Sequence, residues 1–208
     1  MSAAEPASRP AILCAGMGVR DHVFRLRHFP RPGEKVRARA FASVLGGCAA
    51  NAALAVARLG GKARFAAPLG GPAGVDAAGD EILRDLAANG VDCRGAVRLS
   101  GASSPISTIL IDASGERMIA NHRDDRLTDL RVPDPGALVA DADAVLVDNR
   151  FADFVLPICA AARARGAIVV LDGDRATSHS DPLLTTATHV IFAADGLRAT
   201  APCDDLAD

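Results

Sequence analysis

The chain has 208 residues, and its 23 basic and 25 acidic residues leave a formal net charge of −2 at pH 7. Without a basic surplus it has little means of displacing counterions from a nucleic acid, which argues against a nucleic-acid partner. Half of the residues are hydrophobic, which excludes wholesale disorder, but with no Trp or Tyr and only 7 Phe the core is expected to be aliphatic.

The first predicted elements follow a leader, residues 1–9, that we expect to be disordered. A short apolar run at 11–18 ends in glycines, which is typical of a buried strand and its turn. The segments 21–29 and 35–45 alternate apolar and polar residues on either side of a Pro-Gly turn at 30–33. Two alternating segments joined in this way predict a β-hairpin.

The hydrophobic period then changes to that of a helix. Apolar residues at one-turn spacing predict one helix over 47–59 and another over 74–90, with a buried strand over 63–70 between them. A second hairpin is indicated by the alternating segments 104–112 and 117–122.

The remaining chain alternates strand and helix. Aliphatic strands at 143–148, 167–174 and 188–193, with a helix over 152–165, are typical of a parallel sheet covered on both faces. The predicted fold class is therefore α/β, with one doubly wound domain over 10–208.

The two hairpins, near 22–45 and 104–122, interrupt this parallel pattern. Because they alternate apolar and polar residues, they are expected to pair with each other as a small flap over the edge of the main sheet.

Four polar or glycine positions are candidate binding residues. Asp21 lies just beyond the carboxyl end of the first predicted strand, where open α/β sheets bind ligands, although a solvated turn aspartate is the commoner outcome. Gly46 and Gly47 precede a helix, so their N–H groups suit an anion or a hydroxyl oxygen, with tight helix packing as the alternative. Asn51 lies one turn further along that helix, and its amide both donates and accepts hydrogen bonds.

Three motifs in this order resemble those of the pfkB (ribokinase) family of sugar kinases: GMGVRDHVFRLRHFPRPGE, LGGCAANAALAVARLG and PLGGPAGVDAAGDEILRDLAANGVD. The resemblance extends through STILIDASGERMIANH, AVLVDNR and AIVVLDGD, and so covers the chain from residue 11 onward. It implies a ribokinase-like fold whose hairpins form a lid over the substrate and often a homodimer contact, with ATP and Mg²⁺ as cofactors. It also implies that Asp21 bonds sugar hydroxyls and that Gly46, Gly47 and Asn51 line the same pocket.

Within the family, the block GERMIAN…VDNR…VLDGD is most similar to sulfofructose kinases and, less closely, to ketohexokinases. In that subgroup Asn121 and Arg150 match positions that hold the distal anionic group of the substrate, and a guanidinium suits a sulfonate or phosphate. The alternatives are a surface ion pair of Arg150 with Asp148 or Asp153, and an exposed strand position for Asn121.

The sequence departs from the family pattern at three places. Cys48 stands where the family usually has a lysine or a similar residue. The Asn-x-x-Glu signature that organises magnesium and phosphates is expected after the strand at 188–193, but the chain reads AADGLRA there. The Gly-Ala-Gly-Asp motif, whose aspartate is the family's general base, does not occur in these 208 residues. We therefore assign no catalytic residue and no metal ligand.

The leading hypothesis is a carbohydrate kinase that transfers the γ-phosphate of ATP to a sugar hydroxyl, with sulfofructose or a fructose phosphate as first candidates. Two alternatives stay open. A nucleoside kinase of the same fold would be favoured by an apolar pocket around Phe24 and Phe41 that does not engage Arg150. A truncated, non-catalytic sugar-binding or dimerisation module is favoured by the missing catalytic motif.

Cysteine and histidine spacing bears on location and metals. No two of the five cysteines form a CxxC pair, which favours reduced thiols and a cytoplasmic protein, and the dispersed histidines predict no zinc site. No apolar run reaches the roughly 18 residues that a membrane-spanning helix needs, so no membrane partner is expected.

Overall fold

The computed structural model describes residues 9–201. The expected disorder of the leader therefore lies outside the described residues, except at Arg9, whose guanidinium donates to the carbonyl oxygen of Gly60. Within this range no helix has the length and apolar character that crossing a membrane requires.

The described range contains runs of strands as well as alternating strands and helices. The strands are β1 (Ala11–Ala15), β2 (Val19–Arg25), β3 (Ala40–Gly46), β4 (Lys62–Ala66), β5 (Pro68–Gly71), β6 (Val97–Ser100), β7 (Ile106–Ile111), β8 (Arg117–His122), β9 (Ala144–Asp148), β10 (Ile168–Gly173) and β11 (His189–Phe192). The helices are α1 (Cys48–Arg58), α2 (Ala77–Ala88), α3 (Pro135–Val139), α4 (Ala152–Ala164), α5 (Pro182–Thr186) and α6 (Ala194–Thr200).

The central sheet has five strands in the order β11-β10-β9-β1-β4, and every neighbouring pair is parallel. The predicted α/β class with a mainly parallel sheet is confirmed. Side chains of a strand alternate between its two faces, so β1 contributes to two separate cores. Leu13 packs with α4 residues such as Phe154 and Ile158, whereas Cys14 packs with α1, α2 and Phe65.

A second sheet has four strands in the order β3-β2-β7-β8. The strand β2 pairs antiparallel with β3 and parallel with β7, and β7 pairs antiparallel with β8. The expectation that the two hairpins pair with each other is therefore confirmed. Arg20 of this four-stranded sheet connects it to the rest of the domain. The side chain is buried, donates to Ser43 and forms ion pairs with Glu81 and Asp85 of α2.

Two predicted strands differ from the observed ones. The first hairpin was expected to run through 21–29 and 35–45, but its strands end at Arg25 and begin again at Ala40. Pro30 and Pro32 lie between the two strands and have no N–H to donate to a sheet.

The predicted single strand over 63–70 is two strands in two sheets. β4 closes one edge of the central sheet, while β5 pairs with β6 in a separate two-stranded sheet. An apolar run carries no information about which strand each of its halves pairs with, so its division between two sheets was not predicted. The strand β6 was not predicted either.

Candidate functional site

The candidate site lies where β3 leads into α1, beside the carboxyl ends of β1, β9 and β10. Asp21 is the third residue of β2 and is half-buried, so the interpretation of it as a solvated turn residue is wrong. Burial raises the pKa of its carboxyl, and a hydrogen bond from Ser107 opposes that increase.

Asp21 and Gly46 lie in direct contact. A Cβ atom placed on Gly46 would be only 2.0 Å from Oδ2 of Asp21 and 2.8 Å from its Cγ. Only a residue without a side chain can approach the carboxylate this closely. The absence of a side chain at Gly46 therefore sets the distance between Asp21 and the beginning of α1.

Gly47 is also closely packed, against the turn that follows β1. Its φ is +98°, and a Cβ there would lie 2.4 Å from the carbonyl oxygen of Met17. The carbonyl of Gly47 accepts from the backbone N–H of Asn51 at 2.9 Å, which is an intrahelical bond of the first turn of α1. The close-packing interpretation of the glycine pair is thus correct, and the same packing exposes Asn51 at the helix entrance.

Strand register places Asn121 on the same face of the four-stranded sheet as Asp21. Asp21 pairs with Val44 on one side and Ser107 on the other, and Ser107 pairs with Asn121. Asn121 is therefore two strands from Asp21, or about 10 Å. Its side chain is exposed, as the alternative interpretation expected, and it lines a cleft beside the end of β9.

Arg150 lies in the short turn after β9, and its guanidinium forms an ion pair with Asp174. Both ion-pair partners considered from the sequence are wrong. Asp148 accepts from the backbone N–H of Arg150 at 3.0 Å, not from its side chain, and Asp153 pairs with Arg131 at 2.6 Å. The register of β9 and β10, which the sequence does not reveal, brings Asp174 to Arg150.

Two further arginines line the cleft that holds Asn121 and Arg150, which has a volume of about 420 Å³. Arg175 follows β10, and Arg123 follows β8. Arg123 lies over the ring of Phe151, with 5.1 Å from its guanidinium carbon to the ring centroid, and donates to the carbonyl of Arg150 at 2.7 Å. Neither arginine lies in a sequence motif, so neither was identified from the sequence.

Asp148 was also missed as a site residue. Its carboxylate is fully buried and accepts from the backbone N–H groups of Met17 at 2.7 Å, Ala49 at 3.2 Å and Arg150 at 3.0 Å. Burial raises its pKa to about 6 in spite of these three donors. An acidic residue at the end of an aliphatic strand was the signal that could have identified it.

Cys48 occupies the position where the resemblance leads one to expect a lysine or a similar residue. Its side chain supplies no positive charge. Burial, followed by the nearby carboxylates of Asp148, Asp174 and Asp172, raises the pKa of its thiol to about 12. Cys48 is therefore a neutral side chain at neutral pH, with its sulfur 3.9 Å from a carboxylate oxygen of Asp174.

The two phenylalanines that would favour a nucleoside pocket lie elsewhere. Phe24 and Phe41 pair in register with 4.9 Å between ring centroids. Since side chains alternate along a strand, they occupy the face of the sheet opposite Asp21. A larger cleft of about 660 Å³, lined by Arg64, Arg98 and neighbouring residues, shares no residue with this site.

Side chains of the described residues do not by themselves form a metal site. Between residues 9 and 201, no group of three or more His, Cys, Asp or Glu side chains is arranged to hold one. The segment AADGLRA forms part of α6 and its entrance. No chemical step can therefore be derived through magnesium from these residues.

Comparison with known proteins agrees with this architecture. The model of the pfkB family carbohydrate kinases matches residues 11–195. The chain is 29% identical to the ribokinase of Haemophilus influenzae over 168 residues, covering 79% of this chain and 54% of that one. It is 42% identical to fructokinase-1 of Oryza sativa subsp. japonica over 90 residues, or 41% of this chain and 25% of the fructokinase.

Two solved structures show the same fold. A protein from Agrobacterium tumefaciens that is provisionally classed as a ribokinase matches with a TM-score of 0.87 and 34% identity, over 97% of this chain and 65% of that one. The Arabidopsis thaliana ribokinase complexed with ribose and ATP matches with a TM-score of 0.79 and 20% identity, over 96% of this chain and 65% of that one.

The chain spans about half the length of the Haemophilus ribokinase and a quarter of the rice fructokinase. Within that span the family model covers nearly all of the described residues. The chain belongs to the pfkB family of carbohydrate kinases and has the ribokinase-like α/β fold.

Proposed function

We propose that this chain forms the sugar-binding part of a kinase that transfers the γ-phosphate of ATP to a sugar hydroxyl. The observation that supports this most is the contact between Asp21 and Gly46 at the entrance of α1. A carboxylate there accepts hydrogen bonds from hydroxyl groups, while the amide of the exposed Asn51 both donates and accepts them. Such a combination suits a polyol, in which each hydroxyl is donor and acceptor.

The substrate that we favour carries an anionic group, as sulfofructose or a fructose phosphate does. Support comes from the cleft that Asn121 shares with Arg123, Arg150 and Arg175. A guanidinium can bind a sulfonate or phosphate with two parallel hydrogen bonds. Arg150 is already paired with Asp174, so the incoming anion must compete with that carboxylate or bind mainly through Arg123 and Arg175.

We propose ATP and Mg²⁺ as cofactors on the strength of the family and of related structures. The Arabidopsis ribokinase was solved with ribose and ATP, and the Cryptococcus neoformans ribokinase with ADP. The part of this chain that we describe contributes the sugar-binding residues. It orients the acceptor hydroxyl, and orientation supplies a large share of the rate in phosphoryl transfer.

The four-stranded sheet is proposed to be the lid over the sugar and the contact surface of a homodimer in the cytoplasm. Large apolar side chains are exposed on its strands, and an exposed apolar patch commonly marks a protein contact. Val44 and Ile119 lie on the face that carries Asp21, whereas Phe41, Ile106 and Met118 lie on the opposite face.

Calorimetric titration tests the sugar-binding proposal directly. Fructose, fructose 6-phosphate, sulfofructose and adenosine are titrated into the wild-type chain, into Asp21→Asn and Arg150→Ala, and into Arg58→Ala as a control. Arg58 is exposed at the far end of α1. We expect binding of a sugar, strong loss in Asp21→Asn, and selective loss of the anionic sugar in Arg150→Ala. Adenosine binding alone would favour the nucleoside kinase, and no binding at all would reject the proposal.

A coupled assay separates sugar binding from phosphoryl transfer. These 208 residues contain no Gly-Ala-Gly-Asp motif, so we expect the chain to bind sugar without forming ADP. Sugar binding without ADP formation would favour a non-catalytic sugar-binding module as the role of these residues by themselves. Sugar-dependent ADP formation by the purified chain would show that another of its residues is the general base.

A further inference from the structure

We propose that Asp148 is a positioning residue, whose carboxylate holds three segments of the chain in the arrangement that binds the sugar. The proposal rests on the sugar-binding function proposed above. Asp148 is the last residue of β9, at the centre of the parallel sheet.

The carboxylate connects segments that are far apart in the sequence. Oδ2 accepts from Met17, in the turn after β1, and from Ala49, in the first turn of α1. Oδ1 accepts from Arg150, in the turn after β9. Each of these N–H groups lies near the candidate site: Met17 and Arg150 line the cleft, and Ala49 is two residues after Gly47.

The space around the Asp148 carboxylate is tightly packed. A Cβ on Gly16 would lie 2.4 Å from both Cγ and Oδ2 of Asp148, so the turn after β1 packs directly on this group. An asparagine of the same shape has one acceptor oxygen instead of two. It can keep the two bonds made by Oδ2, but its NH₂ group would then face the N–H of Arg150.

The charge of Asp174 opposes the ionisation of Asp148. Asp174 follows β10, Asp172 is the register neighbour of Asp148 on that strand, and the neutral thiol of Cys48 lies on α1. The guanidinium of Arg150 forms an ion pair with Asp174. Burial is the main reason that the pKa of Asp148 is near 6, and Asp174 raises it further. The hold on the three N–H groups is therefore expected to weaken as the pH falls below 6.

Nuclear magnetic resonance tests the contact without any ligand. In the wild-type chain, the amide protons of Met17, Ala49 and Arg150 should shift together between pH 5 and pH 7 with one common midpoint. The amide of Ala53, which is buried further along α1, serves as the internal control. In Asp148→Asn the common titration should disappear. If the three amides keep their wild-type shifts in Asp148→Asn, the carboxylate does not hold them and the proposal is wrong.

Sugar affinity then tests the consequence for binding. Loss of one hydrogen bond to a charged acceptor predicts an affinity that is about tenfold to a hundredfold lower in Asp148→Asn at pH 7.5, with a flattened pH dependence. Asp143→Asn is the matched control, because Asp143 also accepts from a backbone N–H, that of Ala11 at 2.8 Å, but does so before β9 begins. We expect its affinity and pH profile to equal those of the wild type.

The outcomes distinguish the two proposals. Equal sugar affinity and pH profile in the wild type and Asp148→Asn would overturn the positioning role while leaving sugar binding intact. Absence of sugar binding in every protein, the wild type included, would reject the proposed function. In that case the amide titration still decides whether Asp148 holds the three segments together.

Discussion

A missing methyl group at Gly46 determines where Asp21 lies. We predict that Gly46→Ala abolishes sugar binding and lowers the free energy of unfolding by about 1–3 kcal/mol, because its Cβ would overlap the Asp21 carboxylate. Calorimetry and urea unfolding measure the two effects. Gly136→Ala is the control, because its Cβ would lie 3.4 Å from Oδ1 of Asp134; sugar affinity should equal that of the wild type, and the free energy of unfolding should rise by at most about 1 kcal/mol. Unchanged sugar affinity in Gly46→Ala would contradict the proposed role of this contact.

The buried carboxylate of Asp148 should also influence stability. Its pKa in the folded chain, about 6, is higher than that of an unfolded aspartate, so the folded state binds the proton more tightly. The stabilisation is thus present below pH 4 and is lost as the pH rises to 6, by as much as about 3 kcal/mol.

Urea unfolding of the wild type and Asp148→Asn at pH 4.5 and pH 6.5 isolates this effect. We expect the free energy of unfolding of the wild type to fall relative to that of the variant over this interval. A constant difference between the two proteins at both pH values would show that Asp148 has an ordinary pKa.

At the scale of elements, Arg20 attaches the four-stranded sheet to α2. It is buried, and its guanidinium contacts Ser43 of β3 together with Glu81 and Asp85 of α2. Breaking hydrogen bonds to charged partners predicts that Arg20→Met lowers the free energy of unfolding by about 1.5–3 kcal/mol. Hydrogen exchange in β2 and β3 should accelerate.

Arg84→Met provides the comparison for Arg20. Arg84 is exposed and lies 4.0 Å from Glu81, and surface pairs of this kind contribute little. Its unfolding free energy should stay within about 0.5 kcal/mol of the wild type. Equal effects of the two substitutions would mean that Arg20 does not anchor the sheet.

At the scale of the whole molecule, the exposed apolar residues of the four-stranded sheet predict self-association. Ile119 is 54% exposed, on the sheet face that carries Asp21. Placing a charge there should weaken a homodimer by at least about tenfold, because the carboxylate loses its water in the interface. Sedimentation of Ile119→Glu across a concentration series measures this effect.

Leu59→Glu is the control for association. Leu59 is 88% exposed at the end of α1, away from the four-stranded sheet. Its sedimentation should match that of the wild type. A monomeric wild-type chain at every concentration would reject the proposed dimer.

The spacing of the hydrophobic residues by itself predicted most of the helices and strands. The helices predicted over 47–59 and 152–165 are α1 and α4 to within a residue or so, and the strand predicted over 117–122 is β8. Glycine motifs and Asp21 were identifiable because their residue types are demanded by close approach or by ligand chemistry wherever they occur. The parallel sheet also followed from the alternation of aliphatic strands with helices.

Only the tertiary structure decided which side chains meet. Asp148 reaches Met17 across 131 positions of the chain and Ala49 across 99, and Arg150 pairs with Asp174 instead of with its sequence neighbours. Such contacts depend on strand order and register, which bring distant strand ends to one edge of the sheet. Local periodicity is set by which residues face the core, so it carries no record of which strands become neighbours.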